Sequence, residues 1–97
     1  MPITYSQAYY DAYLHLPEDL AAQYTHKRLD NHCYLRIALD NTIGAKWDNQ
    51  IKRPAYKNIT PEQRKQVLDL LRQYQSDEEL LDAHNRQSLV YRKKNRG

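Results

Sequence analysis

The chain has 97 residues, enough for one compact domain, with 40% apolar and 28% charged side chains and a formal charge of +3 at pH 7. No apolar run approaches the ~20 residues that span a bilayer, and no basic-then-apolar leader opens the sequence, so the expected address is the cytoplasm with no membrane partner. Cys33 is the single cysteine, which rules out an internal disulfide and agrees with a reducing compartment.

Thr4-Tyr5-Ser6-Gln7 has the spacing of a capping box and predicts a first helix, on which Tyr5, Tyr9, Tyr13 and Leu16 share a face with Ala12 beside them. Tyr10 lies well round from that stripe. There are nine tyrosines and no phenylalanine, so almost every aromatic ring carries a hydroxyl. A half-buried tyrosine packs its ring and leaves its tip wet, which suits molecular contact surfaces. Tyr5, Tyr9, Tyr10 and Tyr13 are therefore the candidate surface for a protein partner or for a second copy of the chain. Leu16-Pro17-Glu18-Asp19 predicts a break and a restart, with proline at the first helical position and two acids at the positive end of the dipole. Leu20, Ala21 and Tyr24 form the inner face of the restarted helix.

The segment from Asp30 to Ile43 predicts the central helix, because Cys33, Tyr34, Leu35, Ile37, Ala38, Leu39 and Ile43 leave only a narrow polar strip. Gly44 suits its C-terminal cap, although Ile43, Trp47 and Ile51 continue the four-residue spacing; the helix either kinks and continues or stops and restarts. The strip His32, Arg36, Asp40, with Asp48 beyond the glycine, is expected to be a solvated face with a weak Arg36/Asp40 pair, the other reading being a shallow cleft. Asp40 in the last turn opposes the helix dipole and calls for a backbone N–H or a cation from elsewhere. Asn41 falls on the core side and is expected to tie down a neighbouring loop. His32 and Cys33 point about 100° apart on a helix, so they do not make a nucleophile and base, and Cys33 reads as a buried structural thiol.

Residues 52–58 predict a loop, in which Lys52, Arg53 and Lys57 flank Tyr56 behind a stiffening Pro54. Thr60-Pro61-Glu62-Gln63 combines an N-cap hydroxyl, a proline at the first position and a capping-box glutamine, followed by the inward set Val67, Leu68, Leu70, Leu71 and Tyr74. Ser76-Asp77-Glu78-Glu79 repeats the box and opens a last helix with Leu80, Leu81, His84, Leu89 and Tyr91 as inward candidates. A basic tail from about residue 92 follows, with Arg92, Lys93, Lys94 and Arg96. Up to Gln50 there are four basic and six acidic residues; beyond it there are eleven and six. That asymmetry makes Lys52, Arg53, Tyr56 and Lys57, with Arg92, Lys93 and Lys94, the candidate site for nucleic acid, cations neutralising phosphates and the ring stacking on a base.

His15, His26, His32 and His84 show no metal-ligand spacing, two glycines cannot build a phosphate-cradling loop, and no nucleophile motif is present, so no metal, cofactor or catalytic residue is assigned. A helix-turn-helix reading of the last two helices ranks low, since Asp77, Glu78, Glu79 and Asp82 crowd the end that would meet phosphates. The expectation is an all-α bundle of five or six short helices around the central one. It is read as a binding or regulatory protein rather than an enzyme, acting on a protein partner, with nucleic acid as the alternative.

Overall fold

A computed structural model describes residues 7–94, and among them there is no strand. Five α-helices follow in chain order: α1 Gln7–Gln23, α2 Asn31–Ile43, α3 Ala55–Asn58, α4 Pro61–Ser76 and α5 Glu78–Lys94, with single 3-10 turns at Thr25–Lys27 and Trp47–Asn49. The bundle is built on α2, which packs against α1, α4 and α5. Tyr34, Ile37, Ala38 and Leu39 on α2 are at most 1% exposed, and they meet Leu20 of α1, Val67, Leu71 and Tyr74 of α4 and Leu81 of α5 in one apolar cluster. Each such large side chain contributes about 1.5–3 kcal/mol by leaving water. The central position expected of this helix follows from its nearly all-round apolarity.

Its ends are well determined. The Asp30 carboxylate caps the first turn by accepting from the Cys33 N–H at 3.0 Å. Gly44 stops the helix at φ 80°, its N–H donating to the Asp40 carbonyl at 2.8 Å, so the chain turns there rather than kinking onward. Cys33 is partly exposed rather than buried. The Thr60 box forms in full, Thr60 Oγ1 accepting from the Gln63 N–H and Gln63 Oε1 from the Thr60 N–H.

The predicted opening at Thr4–Ser6 lies outside the described residues. Three expectations about the helices need correction. The break at Pro17 does not occur: α1 runs through it. Proline removes one helical hydrogen bond and crowds the preceding turn, but Tyr9, Tyr13, Pro17 and Leu20 are buried at helical spacing on one side, with Tyr24 just beyond the end, and a break would scatter that face. Residues 55–58 are a helical turn rather than loop, held by Asn58 Nδ2 donating to the carbonyls of Lys52 and Pro54, both at 2.9 Å. The cap of α5 is Asp77, whose carboxylate accepts from the Leu80 N–H, while Ser76 completes α4.

The inward face of α5 also differs. Leu81 is buried as expected, but Leu89 is 50% exposed and Ser88 is 0% exposed in its place. The stripe that faces α2 runs Leu81, Asn85, Ser88, Arg92, at helical spacing but mostly polar. It can be buried because polar groups on α2 meet it.

Candidate functional site

The inward polar stripe of α5 and the polar strip of α2 close on each other. Asp40, 0% exposed, accepts from Ser88 Oγ at 2.6 Å, from Arg92 Nε at 2.9 Å and from Arg92 Nη2 at 3.2 Å, and from the Trp47 N–H at 3.0 Å. This is the backbone donor and remote cation that its place at the end of α2 calls for; the Arg36/Asp40 pair on a solvated face does not form. Arg36 instead donates through Nη2 to Asn85 Oδ1 at 2.6 Å. Asn41 ties two helices rather than a loop, its Nδ2 donating to the Ile37 and His84 carbonyls.

Beside this clasp lies a cleft of about 570 Å³. From α2, His32, Leu35, Arg36 and Leu39 line it, spaced three, one and three residues apart along one helical face. Tyr13 and Leu14 come from α1, and Trp47 from the turn that Asp40 holds. Arg53 to Tyr56 form its rim, and Arg92 reaches in from α5. Apolar surface dominates the wall, and Leu14 is 42% exposed. Among the described residues, three arginines and one histidine lie on the lining, and no carboxylate does.

The cations are not equivalent. Arg92 is matched by Asp40 behind the wall. Arg53 pairs with Asp48 at 2.6 Å and lies 5.4 Å over the Trp47 ring. Asp48 also meets Lys46 at 3.4 Å. Burial acts to raise the Asp48 carboxyl, but the hydrogen bonds from Arg53 and Lys46 outweigh it and hold the group below the usual carboxylate range. Among the described residues Arg36 has only the neutral Asn85 amide, and its Nε is buried without a hydrogen-bond partner.

The sequence candidates are thus partly regrouped. His32 and Arg36 from the polar strip share the cleft with Arg53, Tyr56 and Arg92 from the proposed nucleic-acid set. Lys52, Lys57 and Lys93 are exposed, and the Lys94 side chain lies outside the described set. Tyr56 is no open stacking platform: its ring meets Tyr10 at 5.5 Å and Tyr13 at 5.8 Å, and Lys57 lies 5.9 Å from its centre. Of the tyrosines proposed as a contact surface, Tyr5 is outside the described residues. Tyr9 and Tyr13 are buried, with Arg64 over the Tyr9 ring at 5.3 Å, and Tyr10 is half-buried. Tyr9 and Tyr13 belong to the apolar core cluster, their rings 5.7 Å apart, so the stripe faces inward rather than toward a partner. Sequence reasoning did not single out Leu14 as lining the cleft, and it read Leu35 and Leu39 only as apolar faces of the central helix and Trp47 only as a continuation of its spacing. The signal that could have found Leu35 and Leu39 is their position three residues after His32 and Arg36.

Three polar side chains of α5 are also committed inside the protein, while Arg86 and Gln87 are exposed. His84 Nδ1 meets the Tyr74 hydroxyl at 2.7 Å, Asn85 holds Arg36 and Ser88 holds Asp40. A second, smaller pocket of about 340 Å³ lies on the opposite edge of α2, lined by Asn41, Gln66, Gln73 and His84 among others. At the start of α5, Lys27 bridges Glu78 at 2.9 Å and Asp82 at 2.6 Å. Among the described residues no three His, Cys, Asp or Glu side chains gather as a metal site, and no helix is long and apolar enough to cross a membrane.

Comparisons with protein-family models, curated proteins and solved structures found no match to this chain.

Proposed function

We propose that the chain is a small non-enzymatic binding protein that takes a segment of a protein partner in the cleft between α1, α2 and the Trp47–Tyr56 stretch. The observation that carries this reading is the lining itself: an apolar wall rimmed by arginines, the composition of a recognition site with a few oriented polar groups. The site replaces the tyrosine stripe as the contact surface, because Tyr9 and Tyr13 are spent on the core. Nucleic acid is the less favoured occupant. Arg53 and Arg92 already have aspartate partners, and the Trp47 and Tyr56 rings already have cations against them, so both phosphate neutralisation and base stacking would have to displace existing contacts.

The test is selection of a displayed random dodecapeptide library on the immobilised protein, with Leu14→Ser as the counter-target. Leu14 is 42% exposed, so that change should leave the fold intact. Peptides that enrich on the protein and lose about tenfold or more in affinity on the variant support the reading. Absence of enrichment, or binding indifferent to Leu14, overturns it. Salt-sensitive binding of a fifteen-nucleotide single strand without peptide binding would transfer the function to the nucleic-acid reading.

A further inference from the structure

Arg36 is the one arginine of the cleft whose charge no carboxylate balances among the described residues. Half-buried guanidinium groups are ordinarily paired, because taking the charge out of water costs several kcal/mol unless an opposite charge compensates. Arg53 has Asp48 and Arg92 has Asp40, but Arg36 has the Asn85 amide oxygen on one nitrogen and a buried, unpartnered Nε. Asn85 fixes the plane of the group without neutralising it. The result is an oriented cation beside an apolar wall, with His32 one turn before it on the same face.

Resting on the binding role proposed above, we infer that the cleft is specific for an acidic segment in which an aspartate or glutamate lies next to a bulky apolar residue. The carboxylate pairs with Arg36, and the apolar side chain lies against Leu14, Leu35 and Leu39. Charge complementarity selects this occupant: the lining cations left after Asp40 and Asp48 are counted amount to one full charge, which one carboxylate cancels. A phosphate backbone presents a row of charges, and the remaining arginines are already matched. A charge-assisted, planar arginine–carboxylate contact in a site shielded by apolar walls is the kind that discriminates strongly.

The experiment repeats the dodecapeptide selection on the protein and on Arg36→Gln and Arg36→Lys, then measures the enriched peptides by fluorescence anisotropy. Peptides selected on the protein are expected to carry Asp or Glu beside Leu, Ile, Trp or Phe. Replacing that acid by its amide should weaken binding on the order of ten to a hundred fold, the range for losing a hydrogen bond to a charged group. Arg36→Gln should abolish the acid preference while leaving the apolar preference, and Arg36→Lys should restore part of it. Peptides enriched without an acid preference, or amide versions that bind equally well, overturn the inference but leave the binding role standing. No enrichment at all overturns both. The amide comparison uses the unaltered protein, so the conclusion stands even if an Arg36 variant fails to fold.

Discussion

Removing the Asp40 carboxylate should be among the most damaging single changes in the chain, and its size can be worked from its contacts. Asp40→Ala leaves Ser88, which is 0% exposed, and the Trp47 N–H without acceptors, and frees Arg92, whose side chain is 26% exposed. Breaking one side of a fully buried ion pair costs about 3–5 kcal/mol. Arg92 can recover part of its hydration, so about 3 kcal/mol is expected, a large fraction of the roughly 5–15 kcal/mol that holds a domain together. Urea denaturation at 25 °C measures it, and a cycle with Arg92→Met and the double variant isolates the pair. The coupling should be about 1.5–3 kcal/mol, as for hydrogen bonds to a charged group. Exposed pairs give about 0.2–1 kcal/mol. A coupling below about 0.5 kcal/mol, or an Asp40→Ala cost below about 1 kcal/mol, would refute the view that this clasp holds α5 on α2. Trp47 is the single tryptophan and its N–H rests on Asp40, so its fluorescence should shift in the folded variant as the cleft wall loosens.

Other consequences are more local. Tyr34→Phe should be neutral or stabilising by about 1 kcal/mol, because the Tyr34 hydroxyl is buried with no hydrogen-bond partner; Tyr24→Phe should cost about 1 kcal/mol, because Tyr24 Oη donates to the Tyr74 carbonyl at 2.6 Å, and equal effects in chemical denaturation would count against this accounting. Burial lowers the His84 pKa below the ordinary 6.5. Below that pH the unfolded chain therefore takes up a proton before the folded one does, and stability should fall as pH drops from about 6.5 toward the folded value. Urea midpoints for the protein and His84→Gln should diverge over that window and run parallel above it; parallel curves throughout would contradict the assignment. Ile37→Ala should cost about 2–5 kcal/mol, since Ile37 is 0% exposed in the middle of the bundle, and a midpoint change equivalent to less than 1 kcal/mol would mean the site is not close-packed.

The helices were legible where local chemistry and packing agree. Thr60, Pro61 and Gln63 are a complete start signal within four residues, and the apolar sides of Tyr34 to Leu39 leave only the middle of a bundle for that helix. Pro17 was misread because a local rule was applied where packing prevails: the buried tyrosines on one side of it and Leu20 on the other share a face only if the helix runs through. Ser88 was missed for the opposite reason. Hydrophobic periodicity assigns inward positions by apolarity, and a serine becomes an inward residue only when a partner 48 positions away supplies a carboxylate.

The site is a consequence of that long-range pairing. In sequence, His32, Arg36 and Asp40 form one polar strip on a helix and Arg53 and Arg92 belong to basic segments, so the natural division is between a solvated face and a basic surface. Folding redistributes the charges: Asp40 turns inward to Arg92, Asp48 takes Arg53, and the acid expected beside Arg36 is no longer there for it. Asn85 then holds the guanidinium in place without cancelling it. Had position 85 been aspartate, the same geometry would give a closed ion pair and an apolar cleft indifferent to charge; the amide keeps the orientation and leaves the charge for a partner. Asn85→Asp should therefore retain the fold while lowering the affinity of acid-bearing peptides for the cleft by about tenfold or more, as expected when an internal carboxylate competes for the same guanidinium. Unchanged affinity in a variant whose urea midpoint matches the protein's would show that Arg36 is not the group that selects the ligand.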